Sequence, residues 1–195
     1  VKKTCVPEIG CDSVGMKRVD KDCICVMENV YDSRYVVVST LNTNDKETLK
    51  TQAILGAGEN VYCTTETLYA TSTDYDYDSG VEEIFGATST KTQIYKFDIR
   101  NFDVKYLGCG AVDGRALNQF SIDEYNGYLR VATTTGDWGD GLVNQLYVLD
   151  SDLNIVGLVE GIAKGETIKS VRFTGNTGYV VTFEQTDPLF VIDLT

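Results

Sequence analysis

The chain has 195 residues with Lys+Arg 17 against Asp+Glu 29, a formal net charge of −12, and no histidine. Without histidine there is no Ser-His-Asp or Cys-His nucleophile pair, no His-ligated zinc and no imidazole titrating near neutrality, so any acid-base chemistry falls to carboxylates, Lys, Tyr or Cys. The acidic balance disfavours nucleic acid and anionic membrane surfaces as partners.

The 22 Thr, 22 Val and 11 Ile lean the chain toward strands, and its longest strongly apolar stretch, Tyr35 to Val38, is far short of a membrane-spanning helix. Residues 1–22 have no clear period and are expected to form an irregular N-terminal arm. The opening VKKTC has a basic pair without an apolar stretch behind it, so an export signal is expected to have been removed. Ile24 to Tyr31, Tyr35 to Leu41 and Thr48 to Leu55 then read as strands, the last closing on Leu55-Gly56.

From residue 60 a repeat appears. The segments TQIYKFDI, NQLYVLDS and DPLFVIDL alternate bulky apolar with polar residues and end in Asp98, Asp150 and Asp193, separations of 150 − 98 = 52 and 193 − 150 = 43 residues. Before each lies a second strand at Leu68, Val131 and Val180, and before that a third at Asn60 to Thr64, Leu117 to Glu124 and Ile168 to Phe173. Asn126-Gly127 is a strong two-residue hairpin signal, because both turn positions need positive φ, and Gly175-Asn176 is a looser version of it. A fourth strand follows Asp98, at Phe102 to Leu107, and Asp150, at Leu153 to Val159, each reaching a glycine where a turn is expected, Gly108 and Gly161. The period fits four-stranded propeller blades, about four of them, over 23–58, 59–110, 111–161 and 162–195, with the last incomplete. The fold class read here is all-β.

The stretches GAGENVY, TLYATS, FSIDEYNGYLRVATTTGDW and NQLYVLDSDLNIVGLVEGIAKGETIKSVRFTGNTGYVVTFEQTDPLFVIDL resemble a family: the secreted C-terminal β-propeller domain of bacteria and archaea, distantly related to WD40 repeats. The resemblance covers the chain from about Gly56 to its end. It implies a propeller in an exported or cell-surface bacterial protein, and it brings no catalytic residues to carry over. The family pattern would continue past the final strand, which implies a fragment of a larger propeller.

Candidate sites are few. The repeated aspartates are read as turn residues accepting backbone N–H groups rather than as a metal ring. Asp74, Asp76 and Asp78 alternate with tyrosines as the first half of a Ca²⁺ loop does, but Ser79 and Phe85 stand where an EF-hand needs Gly and Glu, so Ca²⁺ is a weak cofactor candidate and no other is expected. Trp138 between Asp137 and Asp140 suits sugar stacking and hydrogen bonding, against the alternative that it packs its loop over a neighbouring blade. The six cysteines, Cys5, Cys11, Cys23, Cys25, Cys63 and Cys109, are an even number and are disulfide candidates; Cys5 and Cys11 are the best local pair. The function expected is a non-catalytic module binding or scaffolding protein or glycan, with a carboxylate-dependent carbohydrate-active enzyme as the alternative. A homodimer through an open blade face is expected where a terminal sheet lacks a neighbour.

Overall fold

The computed structural model describes the chain except residues 1–5, 12–14, 27–32, 42–43, 45–48, 77–88, 137–140 and 184–188. The described residues are all-β and mostly antiparallel, with three single-turn 3-10 segments and no α-helix among them. No helix there is long and apolar enough to cross a membrane.

Strands β1 (Glu8–Cys11) and β2 (Gly15–Arg18) form a separate hairpin, so the expected irregular arm carries regular structure of its own. The first sheet holds β3 (Ile24–Val26), β4 (Tyr35–Leu41) and β5 (Leu49–Leu55) in the order β3-β5-β4, with β3 parallel to β5. The second runs in chain order through β6 (Asn60–Cys63), β7 (Thr67–Asp76), β8 (Ser89–Asp98) and β9 (Lys105–Asp113). The third holds β10 (Arg115–Ala116), β11 (Ile122–Tyr125), β12 (Tyr128–Thr135), β13 (Val143–Leu149) and β14 (Ile155–Ile162), with β10 and β11 both on β12. The fourth is β15 (Thr167–Thr174), β16 (Thr177–Phe183) and β17 (Leu189–Asp193).

The period-2 alternation of side chains explains how these sheets stack. On β7 and β8, Leu68, Ala70, Tyr95 and Phe97 point to the first sheet and pack with Ile54 and Ala57, while Tyr69 and Ile94 point the other way. These last two meet Ile122, Leu129, Val131, Tyr147 and Leu149 of the third sheet. The opposite face of the third sheet, Ala132, Leu146 and Ile162, packs on Ile168, Val171 and Val180 of the fourth. The inner strands of the second and third sheets, β7, β8, β12 and β13, are therefore buried on both faces, while the outer strands β9 and β14 stay largely exposed. Each fully buried Leu, Ile or Phe in these three interfaces contributes about 2 kcal/mol of transfer free energy.

Two expectations are corrected. The strand expected over Leu117 to Glu124 is broken by a 3-10 turn at Gln119–Ser121, because the Asn118 side chain caps it by accepting from the Phe120 backbone N–H at 2.9 Å. The turn expected at Gly108 does not occur: β9 runs through Gly108 and Gly110 to Asp113. The glycine at 110 serves a close approach instead, since a Cβ there would lie 2.7 Å from the Cβ of Leu153 in the turn between β13 and β14.

Candidate functional site: a slot between the third and fourth sheets

The hairpin β11–β12 turns at Asn126 (φ 53°) and Gly127 (φ 81°), both in the left-handed region, and so fixes a register in which Asp123 faces Arg130 and Tyr125 faces Tyr128. Arg130 stands in a strand of buried residues, and its side chain is 4% exposed. Its guanidinium donates to Asp123 Oδ2 and to the carbonyl of Gly175 in the β15–β16 turn. The rings of Tyr125 and Phe173 lie 5.1 and 4.9 Å from its Cζ, a double cation–π contact in a desolvated place. The Nε–H is buried and finds no acceptor among the described residues.

The network continues into the second sheet. The Tyr62 hydroxyl donates to Asp123 Oδ1 at 3.4 Å and accepts from the Glu124 backbone N–H at 3.1 Å, and the Tyr69 hydroxyl donates to Glu124 Oε2 at 2.8 Å. Burial, and then the hydrogen bond to Glu124, hold the Tyr69 phenol far above its ordinary pKa. Adjacent on one strand, Asp123 and Glu124 point to opposite faces, so they do not oppose one another across a cleft as a glycosidase pair would.

Beside Arg130 lies a cavity of about 490 Å³, with Tyr125 and Tyr128 at its mouth, Val156 and Leu158 of β14 along one wall, and Asp193 at the end of β17. A more open hollow of about 600 Å³ lies at Thr65, Glu66, Asp98 and Arg100. Here Arg100 holds Asp98 by side-chain and backbone hydrogen bonds, and these lower the carboxyl pKa to about 2.

The three repeated aspartates act alike. Asp98 accepts from Arg100 N at 2.9 Å, Asp150 from Asp152 N at 2.9 Å, and Asp193 from Thr195 N at 3.1 Å. Each closes an Asx turn two residues long, the role their spacing suggests. Asp74 sits in β7 opposite Lys91, and Asp76 is the last residue of that strand. Asp78, Asp137, Trp138 and Asp140 lie outside the described residues. Among the described residues no three of His, Cys, Asp and Glu gather where they could hold a metal.

Cys23, Cys25, Cys63 and Cys109 are free thiols. Cys63 and Cys109 lie on β6 and β9, the two edges of one sheet with β7 and β8 between, and are out of line across it, so they stand more than about 14 Å apart at the usual strand spacing. Burial pushes the Cys25 and Cys63 thiols up, away from reactive thiolates. Cys5 lies outside the described residues, and Cys11 is the last residue of β1.

The Arg130 network was not anticipated from the sequence. Its one signal is an arginine inside the strand YLRVATTT, where an unpaired charge would be costly.

An uncharacterised protein of Methanocaldococcus jannaschii is 55% identical to the chain over 105 residues, which is 53% of this chain and 16% of that protein. An uncharacterised protein of Archaeoglobus fulgidus is 52% identical over 105 residues, 54% of this chain and 16% of that protein. The chain thus matches only a small part of the length of these curated relatives. No solved structure matches it significantly. The model of the beta propeller domain matches residues 2–195, a range that contains all four stacked sheets, and the chain belongs to that family.

Proposed function

We propose that the domain is a non-catalytic scaffold, part of an exported or cell-surface protein, that binds a protein or glycan at the turn-bearing ends of its sheets. In this reading the four sheets are four blades of a larger propeller, and the family is distantly related to WD40 repeats. The observation that carries the proposal is the node at Arg130, which ties three consecutive sheets through Asp123, Tyr62 and the Gly175 carbonyl. Its ionisable groups are consumed in holding sheets together, and what such an assembly offers is rigidity for the loops at its ends.

The test is a glycan array and a pull-down with the intact protein, run beside Trp138→Ala and Asp137→Asn. Specific capture that falls about tenfold or more in Trp138→Ala supports the reading and gives that loop the aromatic contact. Turnover of a captured glycan that is lost in Asp137→Asn replaces it with a carbohydrate-active enzyme.

A further inference from the structure

Asn126 is the one asparagine of ten that precedes a glycine, and both residues are exposed at the tip of the β11–β12 hairpin. An asparagine amide is among the thermally labile groups of a protein, and its weakness is the following backbone nitrogen, which a glycine leaves unshielded. Nothing lies within 4 Å of the place a Cβ would take at Gly127. The other Asx-Gly step among the described residues, Asp113-Gly114, is the opposite case. There the Gly114 N–H donates to the Thr90 carbonyl at 2.7 Å, and the Thr134 carbonyl oxygen stands 2.8 Å from the place of a Cβ. The fold shuts that step and leaves the one at Asn126 open.

The turn itself sets the pace. Closure of a planar five-membered ring needs the Asn126 Cβ and the Gly127 nitrogen eclipsed about the bond from Cα to the carbonyl carbon. A turn with both residues left-handed, φ 53° and 81°, holds those two atoms apart. The tip must therefore leave its folded conformation to react, and the cross-strand pair of Asp123 with Arg130 behind it resists that opening.

We propose that Asn126 is a site of self-modification, converted by the chain without an enzyme at a rate governed by the Asp123–Arg130 pair. The Gly127 nitrogen attacks Asn126 Cγ and gives up its proton; the Cγ–Nδ2 bond breaks, ammonia leaves and a succinimide remains. Water then opens the ring at either carbonyl. Breaking the bond from Cγ to nitrogen gives aspartate, and breaking the bond from the backbone carbonyl carbon to nitrogen gives isoaspartate, whose main chain runs through Cβ.

The two products treat the fold differently. Aspartate followed by glycine supports the same left-handed turn, so Asp123 still faces Arg130. Isoaspartate lengthens the main chain at the tip, and the strands lose the register that sets Asp123 against Arg130. Arg130, its side chain 4% exposed, is then a buried charge short of its carboxylate.

The experiment ages the full chain in mildly alkaline buffer, folded and in urea, and follows the peptide carrying residue 126 by mass and by isoaspartate-specific methylation. The expected result is conversion of amide to acid in the folded protein at Asn126 before any other asparagine, at least about tenfold slower than in urea. Asp123→Asn should close most of that gap. The isoaspartyl fraction should melt about 5 °C or more below fresh protein, whereas Asn126→Asp keeps the midpoint of fresh protein. Three results overturn the proposal: earlier conversion at another asparagine, equal rates folded and in urea, or an isoaspartyl fraction that melts where fresh protein does. The comparison with urea needs no variant to fold.

Discussion

Asp123 and Arg130 are cross-strand partners on β11 and β12, and their ion pair is the point at which the second, third and fourth sheets are joined. With side-chain exposures of 26% and 4% the pair is largely desolvated, so removing one member strands the other. Asp123→Asn should cost about 3 kcal/mol in urea unfolding. The double variant Asp123→Asn, Arg130→Met should cost at least about 1 kcal/mol less than the sum of the two single changes. Additive losses would mean that the pair does not couple the sheets.

The tight turn at Asn126-Gly127 gives a clean measure of backbone strain. A Cβ at Gly127 would meet nothing within 4 Å, so Gly127→Val tests only the cost of a β-branched residue at φ 81°. That cost is about 1 kcal/mol or more, a fall in melting midpoint of about 2 to 4 °C. Gly136→Ala should be worse, because φ is 82° there and a Cβ would also run into the Gly141 carbonyl oxygen. Equal midpoints for the two variants would contradict this ordering.

The contrast between these two sites explains what could be read from the residues alone. Strands that alternate apolar and polar residues over a buried face, such as Ser89–Asp98, are legible because period 2 and tight turns are local properties. The break at Asn118 was not, since a side-chain cap looks like any polar residue until its donor is placed. Nor was the passage of β9 through Gly108 and Gly110: a glycine in a strand signals either a turn or a close approach, and Leu153, which decides it, is distant in sequence. The Arg130 node was hidden for the same reason, as Tyr62, Asp123 and Gly175 come from three different sheets.

The cysteines divide into two sets. Four stand as free thiols, Cys23 in the 3-10 turn before β3, Cys25 on the first sheet and Cys63 and Cys109 on the second, while Cys5 and Cys11, the best local pair in the sequence, are expected to form one disulfide in an oxidising compartment. Titration of denatured, unreduced protein should therefore find the four thiols of Cys23, Cys25, Cys63 and Cys109, and all six after reduction. Six before reduction would remove the case for an oxidised pair.

Acid stability should depend on the Asx turns. The Asp98 carboxyl is lowered from 3.8 to about 2, by the side-chain and then the backbone hydrogen bonds to Arg100. Asp150 is lowered by the backbone and side-chain hydrogen bonds of Asn154. A carboxyl whose folded pKa lies below its unfolded one contributes stability that is fully present above the unfolded value and is lost as pH falls through the folded one. For Asp98 that window runs from 3.8 down to about 2. Both groups are on the surface, where salt screens the ion pair, so the effect should be modest and should shrink as ionic strength rises. The measurement is the midpoint of urea unfolding at pH values across that window, at low and high salt. Asp98→Asn keeps an acceptor for the Arg100 backbone N–H but loses the charge, so its curve should be flatter than that of the unaltered protein below the unfolded carboxyl pKa, and the two should converge at the acid end. Parallel curves would show that the Asp98–Arg100 contact does not contribute to the acid limb.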